Sequence, residues 1–385
     1  MNVKTTIILW LFACSVTYAQ KMERAEQKVD SLFQQQMQQP SVRNAFLTVH
    51  SEQLGIDWNY AAGQFKAGTP VTENNPFLTT SIAKTFTATL IMMLQEEGKL
   101  EIEDPLAEYL STDLIQGLHV YKGTDYSKEI KIKQLLQHTS GLPDYFEDAP
   151  KEGPNFMEML FIQPGRTWQP QETIQFSKTN LTPHFPPGKG YHYSDTEYVL
   201  LGLLIEELAQ KPLHEVLAQK ILIPLNMRNT YMHLRSKLID TAPGKLAELY
   251  MDDTEISSFK SLSADWAGGG LATSSKDLLK FHKALNEKKL VSQKGLRQMQ
   301  TWVNESFGLE YGYGLRKFQL KKLDPSLGNL TLVGHSGTSG AFMYYCPEVD
   351  VYMTGTFNQT ANQKRHVVFM MQVLAQLKSL SKAKG

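Results

Sequence analysis

The sequence predicts an α+β chain (α/β in the broad sense): one antiparallel β-sheet flanked by terminal helices, plus an inserted, mostly helical domain. Three observations carry that expectation. β-rich segments lie near both ends of the chain: AFLTVH and WNYAAGQF early, then YGYGLRKFQL, NLTLVGHSG, AFMYYCPE and VYMTGTFN late. Helical patterns precede the first pair and follow the last strand. Residues 101–260, between them, read mostly as helix and loop.

Each element has its own signal. Residues 20–38 (QKMERAEQKVDSLFQQQMQ) set apolar side chains at helical spacing among good helix formers. AFLTVH and WNYAAGQF, separated by a Gly-containing turn, form a hairpin. Residues 80–97 (TSIAKTFTATLIMMLQEE) are apolar on most faces, which predicts a buried helix ended by Gly98. IKIKQLLQH runs into the turn-rich TSGLPDY. PPGKGYHYSD is a second loop and leads into the apolar helix TEYVLLGLLIEELAQ. In WAGGGLATSSKDLLKFHKAL a glycine cluster precedes a capping serine, Ser274 or Ser275, and an amphipathic helix. The late strands form a meander closed by the helix VVFMMQVLAQLKSL. The expected division is a signal peptide over 1–19, a sheet domain from 20–75 and 305–385, and a mostly helical insertion over 76–304.

Charge excludes some functions. Lys+Arg and Asp+Glu both number 39, so no net field gathers nucleic acid or an anionic membrane. No glycine-rich phosphate loop precedes a helix. Lys4, then IILWLFA, then CSVTYAQK has the layout of a secretory signal, with cleavage expected after Ala19 and a secreted or periplasmic product. A rival cut at LFAC would make Cys14 a lipid anchor. No later stretch of about 18 apolar residues follows, so no transmembrane helix is expected. Cys346 stands alone in the mature chain, without a disulfide framework or thiolate metal site. His184 and His192 are eight apart, which is not the spacing of a helical or hairpin metal pair, and no metal is argued for.

Three loop-borne motifs carry chemistry. Ser81 and Lys84 are i and i+3 where a helix begins, so they share a face and can touch. A hydroxyl beside an amine is one way to make a serine nucleophilic. The same spacing recurs as Ser257/Lys260 in a polar loop and Ser379/Lys382 in a charged tail, so the pattern alone decides nothing. The second motif is Tyr193-Ser194-Asp195, after a Pro/Gly loop and before a buried helix; the third is His335-Ser336-Gly337, at the end of an apolar strand. Taken singly, these are a helix cap, a packed aromatic and a strand-end histidine. His138 reads as a loop organiser.

In order and setting the three motifs resemble the serine β-lactamase/penicillin-binding protein superfamily. They are most similar to its class C β-lactamase-like branch of D-Ala-D-Ala carboxypeptidases, D-aminopeptidases and β-lactamase-like esterases. GKLEIEDPLAEYL, LLQHTSGLPDY, FPPGKGYHYSD and GGLATSSKDLLKF extend the resemblance over nearly the whole mature chain. It implies a β-lactamase/transpeptidase-like fold and a secreted serine hydrolase. That enzyme would form an acyl-enzyme on Ser81 from an ester or small amide or peptide bond, without a cofactor. Lys84 would be base or electrostatic activator, and Tyr193 base and then acid. The backbone N–H groups of Ser81 and Thr338 would form the oxyanion hole. Asp195, His335 and Gly337 would bind substrate or tune the field.

Two departures from the family pattern stand out. Asp195 replaces a common Asn and His335 a common Lys, and both make the site less positive. A carboxylate-bearing β-lactam or D-Ala-D-Ala peptide is then held less well. Asp195 could pair with Lys84, raising its pKa and shifting the base role to Tyr193, or could receive a substrate ammonium. Protonated His335 would lend Tyr193 positive charge. The alternative function is a catalytically weak or inactive, penicillin-binding-like sensor.

Overall fold

The computed structural model describes residues 3–236, 244–361 and 365–381, with side chains from Tyr18 to Leu380. The side chain of Cys14 and the whole of Lys382 lie outside that description. Five helices matter below: α1 (Val3–Met37), α2 (Ala83–Glu96), α3 (Asp195–Ala209), α4 (Ser275–Asn286) and α5 (Arg365–Ser381). So do eight strands: β1 (Asn44–Ser51), β2 (Ile56–Gly63), β3 (Val303–Ser306), β4 (Leu309–Tyr311), β5 (Arg316–Gln319), β6 (Thr331–Ser336), β7 (Ala341–Cys346) and β8 (Val351–Thr356).

The eight strands form one antiparallel sheet in the order β3-β4-β5-β6-β7-β8-β1-β2. The late strands are a meander, and the early hairpin joins it where Phe46 of β1 faces Thr356 of β8. Alternation is weak in the middle of the sheet because both faces are covered: every residue of β8 is buried. One face packs Val49 and Met353 against Val29 and Phe33 of α1 and Val373 and Leu377 of α5. α4 docks on the other face, where Thr354 Oγ1 donates to Ser275 O at 2.8 Å. Each such Val, Leu, Ile or Phe removed from water contributes about 1.5–3 kcal/mol.

The helical region has its own core, dominated by α2 and α3. Both are apolar nearly all round, so neither could be a surface helix. A small antiparallel ribbon ties this region to the nucleophile turn: Leu78 pairs with Ala272, and Tyr231 pairs with the same residue from the other side. Among the described residues no helix is long and apolar enough to cross a membrane.

Candidate active site

Ser81 lies in a 3-10 turn, Thr80–Ile82, rather than in the first turn of the α-helix that the sequence predicts from residue 80. The difference favours the motif, because side chains at i and i+3 eclipse in a 3-10 helix. Lys84 Nζ accordingly donates to Ser81 Oγ at 3.3 Å. Thr80, just before the serine, is held at φ +46°, a left-handed conformation that a β-branched residue rarely adopts and that costs about 1–3 kcal/mol. Its hydroxyl donates to Thr79 O at 2.8 Å and accepts from Ser339 N–H at 3.3 Å, so the strained turn is pinned to the chain just beyond β6.

Gly337 explains the close approach. A Cβ there would lie 2.1 Å from both Thr79 O and Thr80 Oγ1. The glycine of HSGTSG thus lets the chain press on the nucleophile turn itself. Thr338 is thereby set exposed beside Ser81, and its N–H makes no backbone hydrogen bond. The first N–H groups of a helical turn likewise lack partners within it. The Ser81 and Thr338 amides are therefore available to an oxyanion.

Lys84 is fully buried on α2. It donates to Gly268 O at 3.1 Å and makes a very short ion pair with Asp195 Oδ1, the first residue of α3. Burial alone would lower the ammonium pKa. The Asp195 carboxylate, with help from Tyr193, more than offsets it, and the pKa is raised. Lys84 therefore rests as an ammonium. Its Nζ sits 4.9 Å from the centre of the Tyr193 ring. Tyr193 Oη is buried, and the Lys84 ammonium is the polar group that interacts with it. Burial holds the Tyr193 phenol above its ordinary value, and Asp195 adds to that; Lys84 and Arg316 oppose the rise without cancelling it.

His335 departs from its expected role. It is fully buried on β6 behind Tyr311. Its Nδ1–H donates to Ser336 O at 2.8 Å, which leaves Nε2 to accept the Tyr311 hydroxyl at 3.1 Å. Burial, then the positive charges of Arg316 and Lys84, hold the imidazole well below its ordinary pKa. It is neutral and lends Tyr193 no charge. The second cation is Arg316 on β5, whose guanidinium lies 5.0 Å from the Tyr193 ring centre and makes a two-point bond to Glu305 at 2.7 and 3.0 Å. The sequence reading missed Arg316; its one signal was a lone arginine between glycine and an apolar strand.

His138 organises the loop, as its sequence setting suggests. It sits at φ +58° and is fully buried against Glu197 of α3, and its Nδ1 accepts from Ser194 N–H at 3.2 Å. Burial lowers the imidazole and raises the Glu197 carboxyl, so both shifts favour the uncharged forms of the pair. Ser194 Oγ donates to Pro143 O at 2.8 Å. Together these bonds fix the backbone that presents Tyr193.

A cleft of about 120 Å3 opens onto Ser81 and Thr338. Phe146, Met157, Leu160, Leu249 and Ile256 make its apolar wall, and Asp195, Asp265 and the exposed Glu147 supply carboxylates. Among the described residues no Lys or Arg lines it.

One group among the described residues could hold a metal: Asp148, His184 and His192, whose ligand atoms lie within 4.8 Å of one another. Asp148 Oδ2 accepts hydrogen bonds from His184 Nε2 at 2.7 Å, His192 Nε2 at 3.0 Å and Asp144 N–H at 2.9 Å. The two imidazoles stack at 3.5 Å. These bonds tie the loop before Ala149 to the loop carrying Tyr193. The spacing of the histidines hid the cluster because its third member is remote in sequence.

The beta-lactamase family profile matches residues 29–375. The chain belongs to the beta-lactamase family. Among curated proteins it is similar to Penicillin-binding protein 4* of Bacillus subtilis (strain 168), 27% identical over 289 residues, 70% of this chain and 56% of the relative. The chain thus spans little more than half the length of that protein. It is 26% identical to a Beta-lactamase of Pseudomonas fluorescens over 294 residues, 75% of this chain and 73% of the relative. Among solved structures it resembles a D-stereospecific amidohydrolase from Streptomyces sp. at TM-score 0.71 and 25% identity, covering 92% of this chain and 97% of that one. The fold also matches D-amino acid amidase from Ochrobactrum anthropi SV3 at TM-score 0.74 and 22% identity, over 93% and 98% of the two chains. This is a family of serine hydrolases, and penicillin-binding proteins, β-lactamases and amidases are among these relatives.

Proposed function

We propose that the chain is a serine hydrolase that cleaves an ester or small amide through an acyl-enzyme on Ser81, with Tyr193 as the proton carrier. The observation that supports this most is the 3.3 Å contact between Lys84 Nζ and Ser81 Oγ at the mouth of a cleft. Lys84, held as an ammonium by Asp195, has no lone pair for the serine proton. It orients the Ser81 hydroxyl and lowers the cost of ionising Tyr193, whose pKa still stays raised, so the phenolate is the scarce reactive form. In acylation Ser81 Oγ attacks the carbonyl carbon and its proton passes to the Tyr193 phenolate oxygen. The oxyanion lies against the Ser81 and Thr338 N–H groups. Collapse breaks the bond to the leaving alcohol or amine, which takes the proton from Tyr193; water then repeats the sequence on the acyl-enzyme.

The anionic cleft and neutral His335 disfavour efficient turnover of carboxylate-bearing β-lactams. A secreted location, suggested by the N-terminal pattern, is part of the same proposal. The test is turnover of p-nitrophenyl butyrate and benzylpenicillin by the wild type and Ser81→Ala. Ser81-dependent ester hydrolysis well above the penicillin rate is expected. A penicillin rate equal to the ester rate would overturn the substrate reading, and no Ser81-dependent turnover of esters or amides would overturn the enzyme reading.

A further inference from the structure

Two carboxylates face the cleft beside Ser81, and they are not equivalent. Asp195 is neutralised by Lys84. Asp265, just before the glycine cluster, has no side-chain hydrogen bond or ion pair among the described residues. The backbone makes room for both. A Cβ on Gly268 would lie 2.6 Å from Asp195 Oδ1, and a Cβ on Gly269 would lie 2.2 and 2.4 Å from the two oxygens of Asp265. Any other residue at 269 would evict the Asp265 carboxylate.

We infer that Asp265 receives a substrate ammonium, so that the bond cleaved at Ser81 belongs to an amine-bearing ester or amide with an apolar side chain. For its chemistry this rests on the hydrolase reading above; for its binding it does not. An unpaired carboxylate beside an apolar wall is costly until a cation joins it. The wall of Phe146, Met157, Leu160 and Ile256 excludes water around that cation and strengthens the pair. A divalent metal is a poor fit, because it needs several oxygens around one point and Asp195 is already bound to Lys84. An anionic ligand would meet Asp265, Asp195 and Glu147, with no Lys or Arg among the described lining residues.

The groups facing Asp265 are Asp195 on α3, Lys84 on α2, Tyr145 on the loop before Ala149, and Glu147 and His233 at the cleft wall. Burial, then Asp195, hold the Asp265 carboxyl up at about 7, with Lys84 opposing. His233 is kept below its ordinary value by burial and Tyr145 is raised well above its own. Ammonium affinity should therefore fall as pH drops through 7.

The experiment is calorimetric titration of the full chain with 2-phenylethylammonium and with 3-phenylpropionate at pH 8.5. The ammonium should bind at least about tenfold more tightly, and Asp265→Asn should abolish the difference. Should that variant fail to fold, the wild type at pH 5.5 serves instead, with at least about a fivefold loss of ammonium affinity. Equal or tighter binding of the carboxylate overturns the inference. So does a folded Asp265→Asn that keeps the preference, or a wild type whose ammonium affinity ignores pH. Binding needs no turnover. An intact ammonium preference without Ser81-dependent hydrolysis would sink the hydrolase reading alone. Hydrolysis without the preference would sink this inference alone.

Discussion

The two walls of the site carry their charges differently. On the sheet side, Arg316 is matched by Glu305, His335 is neutral, and Tyr311 closes the gap. On the helical side, Lys84 is matched by Asp195, but the Asp265 carboxylate has no hydrogen bond or ion pair among the described residues and the wall opens into the cleft. The sheet side is a finished electrostatic unit that tunes Tyr193. The helical side is an unfinished one that waits for a substrate. On the proposed mechanism the cations of this site serve proton transfer rather than anion capture, because each is paired with a carboxylate.

Removing the nucleophile should have the largest effect on that comparison. Ser81→Ala should lower kcat for p-nitrophenyl esters by about 10^3-fold or more. Its melting temperature should barely move, because the Ser81 side chain gives up one long hydrogen bond, from a Lys84 that keeps Asp195 and Gly268 O. Tyr193→Phe comes next, with a kcat loss of about 10^2–10^4-fold and little change in KM. Tyr193 Oη interacts only weakly with Lys84, so unfolding by urea should show a stability change within about 1 kcal/mol. A large loss of stability would mean that the phenol is structural.

Asp195→Asn should act in two directions. It removes a charge that raises both Lys84 and Tyr193, so the pH–rate profile should shift toward acid. Acylation by carboxylate-bearing β-lactams should increase, as read by intact mass against time. The same change unpairs a buried ammonium, which costs up to about 3–5 kcal/mol, read as a lower urea midpoint. An unmoved pH profile would count against the charge argument.

The smallest effect belongs to His335→Gln, which keeps an acceptor near Tyr311. Since burial holds His335 well below its ordinary pKa, the wild-type rate profile between pH 5 and 8 should contain no inflection from it. Wild type and variant should therefore trace parallel profiles. An inflection near pH 6.5 that vanishes in the variant would restore the charged role that its motif suggests.

The fold was legible because short β-rich runs are set off by turns and the buried helices are apolar all round, signals that survive without partners. Ser81, Lys84, Tyr193 and Asp195 were legible as local motifs. Arg316 and Asp265 were not. Each is a single charged residue whose meaning comes from what packs against it: Tyr193 and Glu305 for one, the space over Gly269 for the other. Glycines before a helix read as a loop, and only the packed structure makes them a seat for two carboxylates. His335 misled for the converse reason. Its motif is local, but its protonation is set by burial, which spacing does not encode.

The most direct test of the central claim is the intact mass of purified protein after brief incubation with a p-nitrophenyl ester, followed by peptide mapping. The account predicts one acyl group per chain, placed on Ser81, absent from Ser81→Ala and accumulating far more slowly in Tyr193→Phe. An acyl group on another residue, or the same adduct in Ser81→Ala, would contradict it.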